Sequence, residues 1–244
     1  MRLDKALVER RIFESRNKAL EAIKAGEVLV DGEVATKPSQ KISLDSQIST
    51  KGLKKYVSRS AWKLKLYFNE YPLYLDGRVA LDIGSSTGGF TQVLLESGVK
   101  SVDCVDVGKE QLHPKIRLED RVRLFEQRDI RGFDDGRRYD LIVSDVSFIS
   151  LSKILSDIER LTESEADIIL LFKPQFEVGK DAKRDSRGVV QDQNAIQKAR
   201  ESFEKRVKEF GWELLVNTPS LQKGKEGNLE YIYHFKKGKL ESKK

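Results

Sequence analysis

The first 50 residues carry apolar positions at helical spacing in two short stretches. These positions are Leu3, Ala6, Leu7 and Ile12, followed by Ala19, Leu20 and Ile23. Ser15 is a suitable N-cap for the second helix, and Gly26 is a natural stop after it. Residues 28–30 and 33–34 then flank Asp31-Gly32, a dipeptide typical of a type I′ hairpin turn. The pattern predicts a small α+β unit made of two helices and a hairpin.

After residue 58 the pattern changes to short apolar runs separated by helical segments. Helices are predicted over 62–68 and 90–95. Strands are predicted at 79–83, 101–105, 122–125, 141–144 and 168–172, with a closing pair at 212–216 and 231–235. Strands that alternate with helices predict an α/β fold with a doubly wound, Rossmann-like parallel sheet. The closing pair suits an antiparallel edge strand.

Residues 51–58 separate the two patterns. The segment is basic and poor in apolar residues, which is typical of a linker. We therefore predict a small domain at 1–50, a linker at 51–58 and a larger domain at 59–244. The basic stretch 236–244 is predicted to fray at the end of the chain.

Composition indicates a globular protein, with 39% hydrophobic and 34% charged residues among 244. The longest apolar run covers residues 168–172, far short of the ~20 residues of a membrane helix. The first residues are charged, unlike a signal peptide. A single cysteine, Cys104, and two distant histidines predict neither a disulfide framework nor a metal site. We expect a cytoplasmic protein with no membrane partner.

Positive charge is concentrated near the start of the chain. Residues 1–65 contain fifteen Lys or Arg and eight Asp or Glu, a net charge of +7; because the whole chain is +6, residues 66–244 sum to −1. Such asymmetry favours a polyanionic partner, of which RNA is the common case. A solvated basic face is the alternative interpretation.

Residues 80–90 form a strand, a glycine-rich turn and the start of a helix, where doubly wound sheets bind ligands. The candidate cofactor residues are Asp82, Gly84, Ser85, Ser86, Thr87, Gly88, Gly89 and Phe90. Asp106 ends the next strand and suits ribose hydroxyls, while Asp129 follows the third strand and suits an adenine amino group. A nicotinamide dinucleotide site would need glycine where Ser86 stands. S-adenosylmethionine, which has no phosphate, is the better match.

Four charged residues lie at the ends of predicted elements. Lys63 follows the linker, Asp145 and Lys173 directly follow the fourth and fifth strands, and Glu230 precedes the last strand. Because strand ends on one edge of a parallel sheet converge, Asp145 and Lys173 should face the cofactor crevice. Each residue taken alone could be a surface charge or a cap.

These motifs together resemble the FtsJ-like (RrmJ-type) ribose 2′-O-methyltransferases. The resemblance is strongest to the subgroup with an N-terminal alpha-L RNA-binding motif, the TlyA or hemolysin A type, and it spans nearly the whole chain. It rests on Arg2-Leu3-Asp4, Ser15-Arg16, Ser58-Arg59, residues 82–90, 106–108, 145–151, 173–177 and 227–230.

The resemblance implies a catalytic Lys-Asp-Lys-Glu tetrad of Lys63, Asp145, Lys173 and Glu230, with S-adenosylmethionine as methyl donor. It also implies that ribosomal RNA or a ribosomal subunit is the partner, and it leaves the oligomeric state open. The residues assigned to RNA contact are Arg2, Lys5, Arg16, Lys18 and Arg59.

Methyl transfer to a ribose requires a base, because a 2′-hydroxyl is a poor nucleophile at neutral pH. A lysine can serve when its amine is neutral, and Lys173 is our candidate. Lys63 would supply a neighbouring positive charge, while Asp145 and Glu230 would orient the lysines and the hydroxyl. Lining up oxygen, methyl carbon and sulfur should provide much of the rate enhancement.

Three other functions stay open at this stage. An RNA-binding module with a silent second domain would lack methyl transfer. A pore-forming hemolysin would cause leakage from liposomes, although the sequence has no long apolar segment. A nicotinamide enzyme would prefer that cofactor in a competition titration.

Overall fold

The computed structural model describes residues 1–10, 12–13, 15–43, 45–50, 56–222 and 224–238. The chain forms two compact units, Met1–Lys55 and Tyr56–Lys244. The predicted linker residues 51–55 and most of the predicted basic tail, 239–244, lie outside the described residues. Tyr56 and Val57, which the sequence assigns to the linker, pack against the core of the second unit.

The first unit contains two helices and a three-stranded antiparallel sheet. Its elements are α1 (Leu3–Glu9), α2 (Arg16–Lys24), β1 (Val28–Val30), β2 (Glu33–Val34) and β3 (Ile48–Thr50), with strand order β2-β1-β3. The predicted type I′ turn is confirmed, since Asp31 and Gly32 have φ values of 52° and 88°. The apolar faces of both helices meet in one buried core.

Two details of this unit differ from the prediction. Helix α1 ends at Glu9, so Ile12 packs on the core from beyond the helix instead of from within it. Strand β3 was not predicted, because Ile48–Thr50 contains one apolar residue and gives no alternation signal. It forms through backbone pairing with β1, in which Val30 lies opposite Ile48.

The second unit is a seven-stranded sheet with helices on both faces. Its elements are α3 (Ser60–Glu70), β4 (Val79–Ile83), α4 (Gly89–Glu96), β5 (Ser101–Asp106), α5 (Pro114–Arg117), β6 (Val122–Glu126), β7 (Tyr139–Ser144), a 3₁₀ turn (Leu151–Lys153), α6 (Leu155–Leu161), β8 (Thr162–Phe172), α7 (Pro174–Glu177), α8 (Gln193–Lys208), β9 (Glu213–Pro219) and β10 (Tyr231–Lys236).

The strand order is β6-β5-β4-β7-β8-β10-β9. The first five strands in this order are parallel, while β10 runs antiparallel to both β8 and β9. The predicted doubly wound sheet is therefore confirmed. The sequence predicted the antiparallel strand at the edge of the sheet. In the structure β10 lies one position inside the edge, because β9 pairs with its outer side.

Strand β8 shows how the sequence builds the two cores of this unit. Side chains alternate across a strand, so Ile168, Leu170 and Phe172 enter the core on one face. Ile169 and Leu171 enter the core on the other. Both faces are covered, which explains why the strand is a continuous apolar run instead of an alternating one.

The chain order reverses between β4 and β7. From β4 the chain proceeds outwards to β5 and β6, and it then returns to β7 on the other side. Ligands bind at such a switch point, beyond the carboxyl ends of the strands. The fold therefore places the glycine-rich turn after β4 beside Asp145 after β7.

Candidate active site

A cleft opens at the carboxyl ends of β4 and β7. It consists of two adjoining cavities of about 750 Å³ and about 600 Å³. The residues that line both are Gly84, Ser86, Asp145, Ser147 and Phe148. The larger cavity contains all four predicted tetrad residues, and the smaller contains Asp106 and Asp129.

The four tetrad residues form one chain of ionic contacts. Lys173 Nζ lies 2.6 Å from Asp145 Oδ1, and Lys63 Nζ lies 3.9 Å from Asp145 Oδ2. Lys63 Nζ also donates to Glu230 Oε2 at 2.6 Å. Residues separated by 167 positions thus meet directly, as the sequence interpretation requires.

The tetrad is largely withdrawn from solvent. The side chains of Lys63, Lys173 and Glu230 are 9%, 8% and 2% exposed, so none is an ordinary surface charge. Burying two amines and two carboxylates is tolerable here because the charges pair with one another. Gln175 Nε2 also donates to the free oxygen of Glu230, Oε1, at 3.3 Å. Sequence reasoning missed Gln175, although it lies two residues after Lys173.

Ser147 is a second contact that the sequence did not reveal. Lys173 Nζ donates to Ser147 Oγ at 2.9 Å and to the backbone oxygen of Asp145 at 3.2 Å. Both acceptors lie in the turn that follows β7. Ser147 belongs to the motif that begins at Asp145. Its position two residues after Asp145 did not indicate that its hydroxyl contacts Lys173.

Asp82 is a buried carboxylate at the base of the cleft. Its Oδ2 accepts from the backbone N–H of Thr91 at 3.0 Å and from the Thr91 hydroxyl at 2.6 Å. Its Oδ1 is buried and has no hydrogen-bond partner among the described residues. Burial raises the pKa of Asp82 to about 7, against the opposing effect of the Thr91 bonds. An unpartnered acceptor here fits the α-ammonium group of S-adenosylmethionine.

The glycine-rich turn packs closely against the turn that follows β7. Gly84 has a φ of 75°, and a Cβ at this position would lie 3.0 Å from a methyl group of Val146. A side chain would therefore be strained there. Ser85, Ser86, Thr87 and Phe90, four of the candidate cofactor residues, line the larger cavity. Gly88 and Gly89 lie at the junction with α4 and do not line either cavity.

The two predicted adenosine-binding carboxylates line the smaller cavity, but both already have partners. Asp106 accepts from the backbone N–H of Ser86 at 2.8 Å and of Gly108 at 2.7 Å. Asp129 is paired with the guanidinium of Arg131 at 2.5 Å, which lowers the pKa of this carboxyl. Each carboxylate oxygen has more than one lone pair, so both can accept a further bond.

Aromatic residues near the cleft differ in their surroundings. Phe148 is 91% exposed and has a φ of 65°, in the left-handed region, while its ring lies 5.1 Å from that of Phe176. Tyr231 is buried and packs against Phe172. Tyr231 is therefore part of the core, whereas Phe148 is exposed beside the cleft.

The residues assigned to RNA contact fall in both units. Arg59 is exposed at the rim of the larger cavity. In the first unit, Arg2 and Arg16 both bind the buried Asp4, at 3.1 Å and 2.6 Å, while about half of each arginine side chain stays exposed. Hydrogen bonds from both arginines lower the pKa of Asp4. Lys5 is exposed, and Lys18 is half-buried.

Two features of the described residues concern membrane spans and metal sites. No helix in this part of the chain is long and apolar enough to span a bilayer. Within the same residues, no cluster of three or more His, Cys, Asp or Glu is arranged to hold a metal ion.

The strand order with its inserted antiparallel β10 and the glycine-rich turn after the first parallel strand define a methyltransferase fold. The model of the FtsJ-like methyltransferase family matches residues 56–237, and that of the S4 domain matches residues 1–48. The chain belongs to the FtsJ-like methyltransferase family and carries an N-terminal S4 domain.

Relatives of similar length carry more specific names. The chain is 44% identical to the 23S rRNA (cytidine-2′-O)-methyltransferase TlyA of Campylobacter jejuni, over 96% of this chain and 99% of that protein. It is 39% identical to the 16S/23S rRNA (cytidine-2′-O)-methyltransferase TlyA of Mycobacterium tuberculosis, over 95% and 88%. A solved structure from Streptococcus thermophilus is 33% identical, with a TM-score of 0.71 and coverage of 98% of this chain and 88% of that one.

Proposed function

We propose that this chain transfers the methyl group of S-adenosylmethionine to the 2′-hydroxyl of a cytidine in ribosomal RNA, in the cytoplasm. The observation that carries the proposal is the chain of contacts from Lys173 through Asp145 and Lys63 to Glu230, beside a cleft suited to the methyl donor. The names of the relatives from Campylobacter jejuni and Mycobacterium tuberculosis support the choice of cytidine and of ribosomal RNA.

In this proposal S-adenosylmethionine, when bound, supplies a methyl group activated by its positively charged sulfur. Asp82 would hold the ammonium group of the donor, while Asp106 and Asp129 would bind its ribose and adenine. The turn residues Gly84 and Ser86 would let the donor lie between the two cavities.

The tetrad would act on the RNA ribose. Neutral Lys173 would take the proton of the 2′-hydroxyl as its oxygen bonds to the methyl carbon, and the electron pair of the broken carbon–sulfur bond would stay on sulfur. Asp145 would keep both lysine side chains in place, since one carboxylate oxygen faces each amine. Glu230 would fix Lys63, whose charge would hold the ribose or its phosphate.

The rim of the larger cavity supports an RNA substrate. Arg59, Arg187 and Lys225 are exposed cationic residues among those that line it, and the exposed acid there is Glu226. The segment before α8 that carries Arg187 is held by the guanidinium of Arg184, which donates to three backbone oxygens, and by Val190, whose N–H donates to Asn228 at 3.0 Å. A fixed cationic rim suits the phosphates on either side of the target ribose.

We expect the double substitution Arg187→Ala and Lys225→Ala to weaken RNA binding without lowering the rate at saturating RNA. Removing two phosphate-binding side chains should reduce the slope of log affinity against log salt by about 1.4, at about 0.7 per neutralised phosphate for single strands. The matched control is Lys198→Ala with Lys205→Ala, which removes two exposed lysines from α8, outside the cleft. Equal salt slopes for the two double variants would contradict the assignment.

Cofactor affinity should depend on the charge of Asp82. Because the pKa of Asp82 is raised to about 7, the carboxyl is protonated and neutral below that pH. We therefore expect the affinity for S-adenosylmethionine to rise between about pH 6 and about pH 7.5, as measured by calorimetry. Asp82→Asn should bind about ten-fold more weakly at the upper end of this range, and its affinity should stay constant across it. A wild-type affinity that does not change with pH would remove Asp82 from this role.

Transfer of a labelled methyl group to purified ribosomal subunits tests the proposed function. We expect label in RNA of one or both subunits, and inhibition by S-adenosylhomocysteine. The small and large subunits are assayed separately, because one relative is named for 23S RNA and the other for both 16S and 23S. RNA binding without any label would indicate a silent binding module.

A further inference from the structure

The amine of Lys173 is surrounded by three acceptors from one tripeptide. Asp145 Oδ1 lies at 2.6 Å, Ser147 Oγ at 2.9 Å and the backbone oxygen of Asp145 at 3.2 Å. The contact with Asp145 Oδ1 is an ion pair, whereas the other two are hydrogen bonds that Lys173 donates. The ion pair and the two hydrogen bonds together suit the charged form of the side chain.

A base at this position must be in the neutral form, which has two N–H bonds and one lone pair. One of the three contacts then has to change. The carboxylate and backbone oxygens of Asp145 can only accept hydrogen bonds, whereas the Ser147 hydroxyl can both accept and donate. Of the three partners, Ser147 is consequently the one that can bond to Lys173 either as acceptor or as donor.

Lys173 and Ser147 differ in their exposure to solvent. Lys173 is buried, whereas Ser147 is exposed on the wall shared by both cavities. The turn that carries Ser147 is fixed on its far side, where the Ser150 hydroxyl and the N–H of Leu151 donate to Glu177 at 2.6 Å and 2.7 Å. The hydroxyl thus lies between a buried amine and water, on a turn anchored to the helix that follows Lys173.

We propose that Ser147 is a positioning residue that sets the protonation of Lys173 and returns its proton to solvent after each methyl transfer. The inference rests on the proposed function. In the return step an N–H bond of the Lys173 ammonium breaks and its proton passes to Ser147 Oγ. The original hydroxyl proton of Ser147 passes to a water molecule at the same time, so that Lys173 ends neutral and Ser147 ends unchanged.

Other charged groups near Lys173 stay the same when Ser147 is altered. These groups are Asp145, Lys63 and Glu230 in the tetrad, Asp82 below the cleft and Glu177 behind the turn. Removal of the Ser147 hydroxyl leaves the ammonium with one fewer acceptor, which disfavours the charged form. The acid limb of the pH–rate profile should then move to lower pH. The return of the Lys173 proton to solvent should slow, because the hydroxyl that carries it is missing.

The test compares Ser147→Thr with Ser147→Val, two side chains of the same shape of which only threonine has a hydroxyl. Ser147→Val is expected to lower kcat at least about ten-fold in multiple-turnover transfer to ribosomal subunits, with KM for RNA and Kd for S-adenosylmethionine close to those of the wild type. Its half-maximal rate should occur at lower pH. Ser147→Thr should retain at least half of the wild-type kcat and the wild-type pH profile.

Ser152→Ala, on the adjacent 3₁₀ turn, is the control for general effects of altering this segment. An unchanged kcat or an unchanged acid limb in Ser147→Val would overturn the inference, as would an equal loss in the valine and threonine variants. Absence of methyl transfer by the wild-type protein would instead overturn the proposed function itself.

Discussion

Lys173→Ala is expected to abolish methyl transfer while leaving cofactor binding almost intact. Removing a general base costs about 10²- to 10⁴-fold in rate. Among the described residues, Lys173 is the amine that contacts both the side-chain Oδ1 and the backbone oxygen of Asp145. The affinity for S-adenosylmethionine should change by no more than a few-fold, because Asp82 and the glycine-rich turn are unaltered. Single-turnover transfer and cofactor calorimetry measure the two quantities.

Lys180→Ala is the matched control, since it removes an exposed lysine further along the chain. Its single-turnover rate should equal that of the wild type. A Lys173→Ala protein with normal turnover would remove the base assignment. A drop in cofactor affinity as large as the drop in rate would indicate that Lys173 acts in binding instead.

Deleting residues 1–50 is expected to weaken RNA binding strongly and to flatten its salt dependence. The deleted part has a core of its own and carries Arg2, Lys5, Arg16 and Lys18. Each phosphate that is no longer neutralised should reduce the salt slope by about 0.7 for single strands and about 0.9 for duplexes. If these four side chains neutralise about four phosphates, the affinity should fall at least about 100-fold near physiological salt. Binding is measured at several salt concentrations with isolated ribosomal RNA.

A full-length variant with Lys5→Ala and Lys18→Ala separates charge from folding. Lysines are chosen because Arg2 and Arg16 bind the buried Asp4, and removing either arginine would leave that carboxylate short of a partner. The double variant should show part of the reduction in salt slope that the deletion shows. A deletion protein with an unaltered slope would mean that the S4 domain is not the electrostatic anchor.

The sheet could be predicted because burial on both faces leaves a direct trace in the sequence. Residues 79–83 and 168–172 are nearly continuous apolar runs, and the structure places them in β4 and β8. Helix α8 gave a weaker signal: its buried residues Ile196, Phe203 and Val207 are few among many charges. Strand β3 left no signal because its pairing with β1 depends on backbone bonds between segments far apart in sequence.

The proximity of the four proposed tetrad residues could be predicted because each lies at or near the end of an element, where the fold determines its direction. Ser147 and Gln175 could not, because their contacts depend on how two turns bend. The left-handed backbone at Phe148 is one such bend. The pairing of Asp129 with Arg131 was equally hidden, since two residues of opposite charge at this spacing have no fixed geometry in a sequence.

The position of the transferred methyl group distinguishes methylation of the ribose from methylation of a base. Ribosomal RNA labelled by the protein with S-adenosylmethionine is digested with alkali, which cleaves only where the 2′-hydroxyl is free. We expect all label to reside in an alkali-resistant dinucleotide that begins with 2′-O-methylcytidine. Label recovered on a base, or in mononucleotides after complete digestion, would contradict this expectation.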